Sequence, residues 1–589
     1  MNDAVIDMPN DLGKPRHHLS LEEDPTPARR HRGITALTVD LPDSGSKNVK
    51  LETNPSRWAT PEFLFYYLAA VIVIPIMVWV PVSISSPTHD NYYKYNHRLR
   101  PGWIFGRALD NSDAQYRSFR DNVPALAALA AVFVLTKVAY TRFTLRSLTR
   151  PPENNFYLIP LYHAFSALFL IGLHGTSIVK IFVILSANYY IAKKLGKSRA
   201  GPLVTWAFNV AVLFLNERYE GYRYASIHSS LETLDIYEGL YPRWHISFNI
   251  TMLRLISFNM DYYWACKDSA ASSSNASPSL EDEKQPTNEK QRIATALPVQ
   301  FYTYANYIAY VLYPPLYIAG PIMSYNNFVW QLRNPVSIPK TAVARYLLRF
   351  LLSLGTMELI LHFMYVVAMK DARAWQGLSP FELSMVGFWN LMVVWLKLLL
   401  PWRFFRLWAL AGGVDAPENM VRCMANNYSA FGFWRSWHRS YNLWIVRYIH
   451  IPLGGAHNVV VSTALVFTFV ALWHDLSFRL LAWGWLVSVF VLPELAARYV
   501  LPESKYGSEP WYRHACALGG VLNVLMMISA NLVGFVIGTD GMLYMVSEVF
   551  GTWSGLRFLV SACACIFIGV QLMFEYREEE KRRGIYRRF

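Results

Sequence analysis

The sequence predicts an all-α polytopic membrane protein with about 10–12 transmembrane or re-entrant helices. Three observations carry that expectation. Apolar residues make up 53% and aromatic residues 15% of the 589 positions. Residues 63–82, 346–369, 480–500, 516–537 and 556–574 form apolar runs that approach or exceed the roughly 18–20 residues needed to cross a bilayer. Lys and Arg, which give a formal charge of +14, collect in short clusters beside those runs, a pattern of orientation signals and lipid-headgroup contacts that argues against a nucleic-acid partner.

In chain order, residues 1–57 are polar and rich in Pro, Asp and Ser, and read as a disordered tail. Their start, MNDAVIDMPND, has neither the basic end nor the apolar core of a signal peptide, so residues 63–82 are expected to act as an uncleaved anchor. The membrane domain spans 58–575. Less clean candidate helices lie at 123–140, 157–173, 178–192, 202–215, 301–318, 388–402 and 459–473, and the shorter ones fit re-entrant or tilted segments. Basic turns at 137–150 and 193–199 are separated by two apolar runs and so share one face, the cytosolic one by the positive-inside rule. Crossing counts return the basic tail, 576–589, to that face. Lys94, Arg98, Arg100, Arg107, Arg117 and Arg120 contradict the scheme by falling on the opposite face. Residues 253–264, LRLISFNMDYYW, are too polar for an ordinary span and are expected to form an interfacial helix or plug. Residues 267–292 read as a disordered insertion. Glycosylation sequons occur at Asn249, Asn275 and Asn427.

Several chemistries are missing. Ile191 stands where a phosphate-binding P-loop ending Gly196-Lys197-Ser198 needs glycine, no G-x-S-x-G elbow is present, and none of the fifteen histidines has Asp five residues on. The five cysteines lack metal-ligand spacing, and no metal site is expected. What remains is the segment FWRSWHRSYNLWIVRYIHIPLGG at 433–455, together with LWHD at 472–475. Wound as one helix, Trp434, Trp437, Tyr441, Trp444, Ile445 and Tyr448 form an aromatic wall, Arg435, Arg439 and Asn442 a polar face, and His438 their border. His474 closes the next apolar run. A neutral imidazole in an apolar site is a natural general base, and a polar group at membrane depth is expected to be functional. The bland alternative, an interfacial Trp-His pair or an imidazole capping a backbone carbonyl, remains open for isolated cases such as His163, His174 and His362. Arg435, Arg439 and Arg447 are either snorkelling cations or ligands of an anionic phosphate.

These two motifs resemble the signature of the membrane-bound O-acyltransferases, and residues 310–321, YVLYPPLYIAGP, resemble that family's proline-rich segment. SFNMDYYW at 257–264 and the RSWHRSYN form are most similar to the fungal glycerol uptake protein branch. The resemblance implies crossing and re-entrant helices around a catalytic tunnel, with His474 as catalytic base and His438 as the second catalytic residue. It implies acyl-CoA as co-substrate without a bound cofactor, and as acceptor a lysolipid, specifically a lyso form of the glycosylphosphatidylinositol (GPI) anchor, in the endoplasmic reticulum membrane, with the plasma membrane as a second location. Trp437, Trp444 and Trp473 are then expected to wall the tunnel, and Arg435, Arg439 and Asn442 to bind substrate. A protein acyltransferase of the hedgehog-acyltransferase type and a glycerol/proton symporter are the alternatives. A symporter is disfavoured by the lack of an internal repeat.

Overall fold

In the computed structural model, residues 54–272, 286, 288–455, 459–474 and 478–585 are described. Eight helical stretches are long and apolar enough to cross a membrane. One of them, Phe156–Leu195, breaks at His174–Ser177 into two antiparallel helices, where Gly175 takes φ 52° and packs against the carbonyl of Tyr237.

The first long helices are α1 (Pro61–Ile84), α2 (Ala114–Ser147), α3 (Ile159–His174), α4 (Ile178–Leu195), α5 (Gly201–Tyr219) and α6 (Trp244–Ser272). After a re-entrant segment built from α7 (Tyr304–Val311) and α8 (Tyr325–Arg333) come α9 (Lys340–Phe363) and α10 (Pro380–Ala411). The short α11 (Ala430–Ser436) and α12 (Arg439–Ile445) make a second inward excursion. Then follow α13 (Val459–His474), α14 (Phe478–Val500), α15 (Tyr512–Asn531), the flanking α16 (Gly538–Phe550) and α17 (Trp553–Arg582).

Contacts between distant residues order these helices across the bilayer. The Arg57 N–H donates to Glu575, and Arg422 pairs with Glu580 at 2.6 Å, so the start of α1, the end of α17 and the loop before α11 share one face. Lys193 donates to the Tyr302 carbonyl and Asn155 to the Leu332 carbonyl, so the re-entrant segment enters and leaves through the face that holds the basic turns. On the opposite face the α5–α6 loop bonds through Tyr237 to Thr176. The troublesome far-face cations are tied locally. Arg120 binds Glu358 at 2.6 Å, Arg98 lies 4.0 Å from Asp371, Lys94 donates to Asn91, Arg117 to the Asn111 carbonyl, and Arg107 sits over the Phe363 ring.

Residues 253–264 are not an interfacial helix. They lie inside the 29-residue α6, where the buried Arg254, Ser257, Asn259 and Asp261 are satisfied by protein instead of water. Arg254, 1% exposed, donates to the carbonyls of Val311 and Leu316 at the turn of the re-entrant segment. Asp261 accepts from Arg447 at 3.4 Å and from Tyr448 at 3.0 Å. Asn259, Asn188, Asn209 and Thr205 join α4, α5 and α6 through side-chain hydrogen bonds. A polar helix is thus admitted to the membrane because neighbouring helices supply the partners. Of the expected insertion at 267–292, residues 273–285 and 287 lie outside the described residues, and the rest is ordered. Helix α6 continues to Ser272, and the helix Glu289–Ala294 is anchored by a buried pair between Glu289 and Arg439 at 2.7 Å. The expected N-terminal tail lies mainly outside the described residues.

Replacing Arg254 by Leu leaves two buried carbonyls without donors, each costing about 1–3 kcal/mol. The variant is expected to unfold at a clearly lower temperature than the wild type in detergent. An unchanged melting temperature refutes the role given to Arg254.

Candidate active site

The Phe433 segment does not wind as one helix. Trp437 is extended, and His438 adopts a left-handed conformation with φ 47° and ψ 49°, which separates α11 from α12. Asn419 compensates the break: its carbonyl accepts the Arg439 N–H at 3.0 Å and its side-chain oxygen the Ser440 N–H at 3.2 Å. Ser440 Oγ accepts the Ile322 N–H at 2.9 Å, which ties the re-entrant turn to the same point.

The break opens His438 and α12 onto a cavity of about 1610 Å³. Helices α1, α10, α15, α16 and α17 contribute an almost wholly apolar wall, with residues such as Met77, Phe388, Leu525 and Cys565. His438, His474, Tyr441, Asn442, Trp437 and Trp473 line its polar end. This volume exceeds the roughly 300–1,000 Å³ usual for drug-sized ligands and suits a chain-like apolar one.

His474 ends α13, is exposed and lines that cavity. Its Nδ1 lies 2.7 Å from the Val470 carbonyl. A carbonyl only accepts, so Nδ1 carries the proton and Nε2, across the ring, presents its lone pair away from the helix. His174 and His362 also cap carbonyls, of Tyr241 and Glu358, but Tyr317 OH and the Trp103 N–H occupy their second nitrogens. His474 differs in having a basic nitrogen left for a ligand.

The rings around it are interlocked. Trp473 meets His474 edge-on at 4.7 Å and stacks on Tyr441 at 4.6 Å. His438 stacks on Trp402 at 4.3 Å and lies 5.2 Å from Tyr441. The Trp473 indole donates to the Asn249 carbonyl at 2.9 Å, which fixes the end of α13 against α6. Tyr441 and Trp402 were not singled out from the sequence. Tyr441 showed only as one member of an aromatic face, yet its buried hydroxyl has no hydrogen-bond partner among the described residues.

Other nominated residues lie behind the wall. Trp444 does not line the cavity: it is 2% exposed, donates to the Leu253 carbonyl and packs on Trp206 and Phe469. Arg439 and Arg447 are engaged by Glu289 and Asp261, and Arg447 also lies 4.5 Å from the Trp264 ring. Arg435 is half-buried, outside the cavity lining, with its guanidinium 6.0 Å from the Phe431 ring.

Two sequons are engaged in this framework, Asn427 buried and Asn249 half-buried. Asn249 donates its amide toward the Trp473 carbonyl from within α6, and Asn427 donates to the Cys423 carbonyl and accepts from Ser436. Glycosidase treatment of an Asn275→Gln variant is therefore expected to leave its gel mobility unchanged. A shift means that one of the two engaged amides is glycosylated and that the packing described here is wrong.

Comparison with known proteins agrees with this architecture. The sequence model of the MBOAT, or membrane-bound O-acyltransferase, family matches residues 229–539, which include the re-entrant segment and both histidines. The membrane-bound O-acyltransferase GUP1 of Saccharomyces cerevisiae is 44% identical over 562 residues, covering 94% of this chain and 98% of that protein. The GUP1 protein of Schizosaccharomyces pombe is 40% identical, covering 90% and 91%. More distantly, the mouse protein-cysteine N-palmitoyltransferase HHAT is 28% identical over 251 residues, 39% of this chain and 50% of that one. With likeness extending from the first crossing helix to the last, the chain belongs to the membrane-bound O-acyltransferase family.

Proposed function

We propose that the protein transfers a long acyl chain from acyl-CoA to the hydroxyl of a lysolipid, with a lyso-GPI anchor as acceptor and His474 as general base. The observation that carries this reading is His474 Nε2, which has no hydrogen-bond partner among the described residues, at the polar end of an apolar cavity. The acceptor oxygen attacks the thioester carbonyl carbon while Nε2 takes its proton. As the tetrahedral intermediate collapses the C–S bond breaks, the proton passes to the leaving thiolate, and an ester and free CoA result. No covalent enzyme intermediate and no bound cofactor are needed.

In this reading His438 and the Tyr441 hydroxyl, which has no partner among the described residues, donate to the developing oxyanion; both rings lie in the same cluster as His474. Trp437 and Trp473 keep water from the thioester. Asn442, on the cavity wall, orients the acceptor. Arg439, committed to Glu289, serves the scaffold; Arg435 remains the candidate for the CoA phosphates. The endoplasmic reticulum membrane is the expected location, since GPI lipids are assembled there. Protein acylation is the second reading, favoured by the likeness to HHAT but over a much smaller part of the chain.

The test uses full-length protein in vesicles, labelled long-chain acyl-CoA, and as acceptors lyso-GPI, lysophosphatidylinositol or a peptide. His474→Ala is expected to lose roughly 10²–10⁴-fold in transfer rate, the span general-base catalysis supplies. Tyr441→Phe, which removes one oxygen, is expected to lower kcat by up to roughly 10²–10³-fold with little change in KM. Transfer that survives His474→Ala refutes the base. Transfer to the peptide alone replaces the lysolipid by a protein acceptor, and labelled glycerol accumulating without any transfer establishes a carrier.

A further inference from the structure

On the far face, strands β1 (Arg100–Pro101) and β2 (Ala108–Leu109) form a small antiparallel hairpin. Its tip reads Trp103-Ile104-Phe105-Gly106. The Arg107 N–H donates to the Ile104 carbonyl at 3.0 Å, and the two central residues both have positive φ, 47° for Phe105 and 68° for Gly106. That is the backbone of a type I′ turn, whose first central position ordinarily holds Asn, Asp or Gly. Phenylalanine there carries a steric cost, because its Cβ crowds the following carbonyl in the left-handed region. Its ring is 90% exposed, so no contact within the protein repays that cost, and Trp103 beside it is 70% exposed.

The hairpin is held rigidly. A Cβ on Gly102 would collide with the Arg107 carbonyl and the His362 ring, so the strand sits tight against the last turn of α9. The Trp103 N–H donates to His362 Nε2 at 3.3 Å. Asp110 accepts the N–H groups of Val367 and Ala368, which locks the base of the hairpin to the elbow after α9. The tip also has a direction. Trp103 Nε1 donates to Glu358 at 3.1 Å, one turn deeper into α9 than His362, beside the buried Arg120 pair. The indole therefore runs down α9 toward the bilayer, level with the 52%-exposed Leu359 on the outward face of that helix. Arg100 at the start of β1 is exposed, placed for a headgroup phosphate.

We infer that this hairpin inserts its Trp103–Phe105 tip into the headgroup–acyl boundary of the far leaflet, so that phospholipid covers the strained ring and pins the end of α9 at the membrane surface. Aromatic side chains with one polar atom satisfied by protein and the ring turned to lipid are the usual anchors at this depth. The lipid-facing row of α9, with Leu348 and Leu352 at 57% and 64% exposure, is continuous with the tip.

The full chain, purified and reconstituted in phosphatidylcholine vesicles containing a lipid with a diazirine near the top of its acyl chain, is illuminated. In parallel it is oxidised with hydroxyl radicals, and both products are mapped by mass spectrometry. Trp103 and Phe105 are expected to carry the lipid label and to be oxidised several-fold less than in a free peptide of residues 100–109. Phe105→Asn, which suits the turn better, is expected to keep the melting temperature in detergent while losing the lipid label at that position. Peptide-like oxidation without lipid label shows the tip in water and overturns the inference. Protection without lipid label shows it covered by a second copy and overturns it equally.

Discussion

A bilayer offers no water to the backbone of a broken helix, and this chain breaks its helices at the places where chemistry is possible. The constraint is met by a few side chains. Arg254 supplies donors to two carbonyls at the re-entrant turn, Asn419 accepts the first two N–H groups of α12, and Ser440 accepts Ile322. Because Asn419 and Ser440 lie next to the His438 kink, the re-entrant turn and the site are held by the same handful of bonds. The polar content of α6, which looks unsuited to a membrane, follows from the same need: it is the internal solvent of the segments packed on it.

The apolar cavity depends in turn on that polar frame. Its wide wall is drawn from outer helices, and its polar end from the two short helices and the end of α13. Charges in the signature are cancelled before they reach it, Arg439 by Glu289 and Arg447 by Asp261. What the signature itself presents to the cavity is neutral: imidazole, phenol, amide and indole. In the proposed reaction, a thioester and a hydroxyl brought together there would meet His474, with one nitrogen committed to Val470, and little competing solvent.

Much of the fold was legible because apolar run length and basic turns are local signals. The two histidines were legible because a polar group closing an apolar run is costly. The helix break was not, since residues 430–448 have helical periodicity throughout and no Pro or Gly marks His438; the left-handed turn is held by Asn419, 21 residues before Ser440 and outside the periodic stretch. For the same reason Trp444 looked like a cavity residue. The wheel placed it beside Tyr441, whereas the kink turns α12 so that Tyr441 meets the cavity and Trp444 meets α6. The partners of Arg439 and Arg447 lie about 150 and 186 residues away, beyond any periodicity.

His438 and Phe105 share an unusual backbone, and comparing them separates two uses of strain. At His438 the protein itself returns the cost, through the Asn419 bonds and the Trp402 stack, and the result is an imidazole held out of any helix against the cavity. At Phe105 the surrounding bonds fix the turn but leave the ring uncovered. Rigidity that presents an apolar ring to the outside is intelligible only if the outside is apolar. The bilayer that forces every buried polar group of this chain to find a partner is then also the partner of its most exposed aromatic tip.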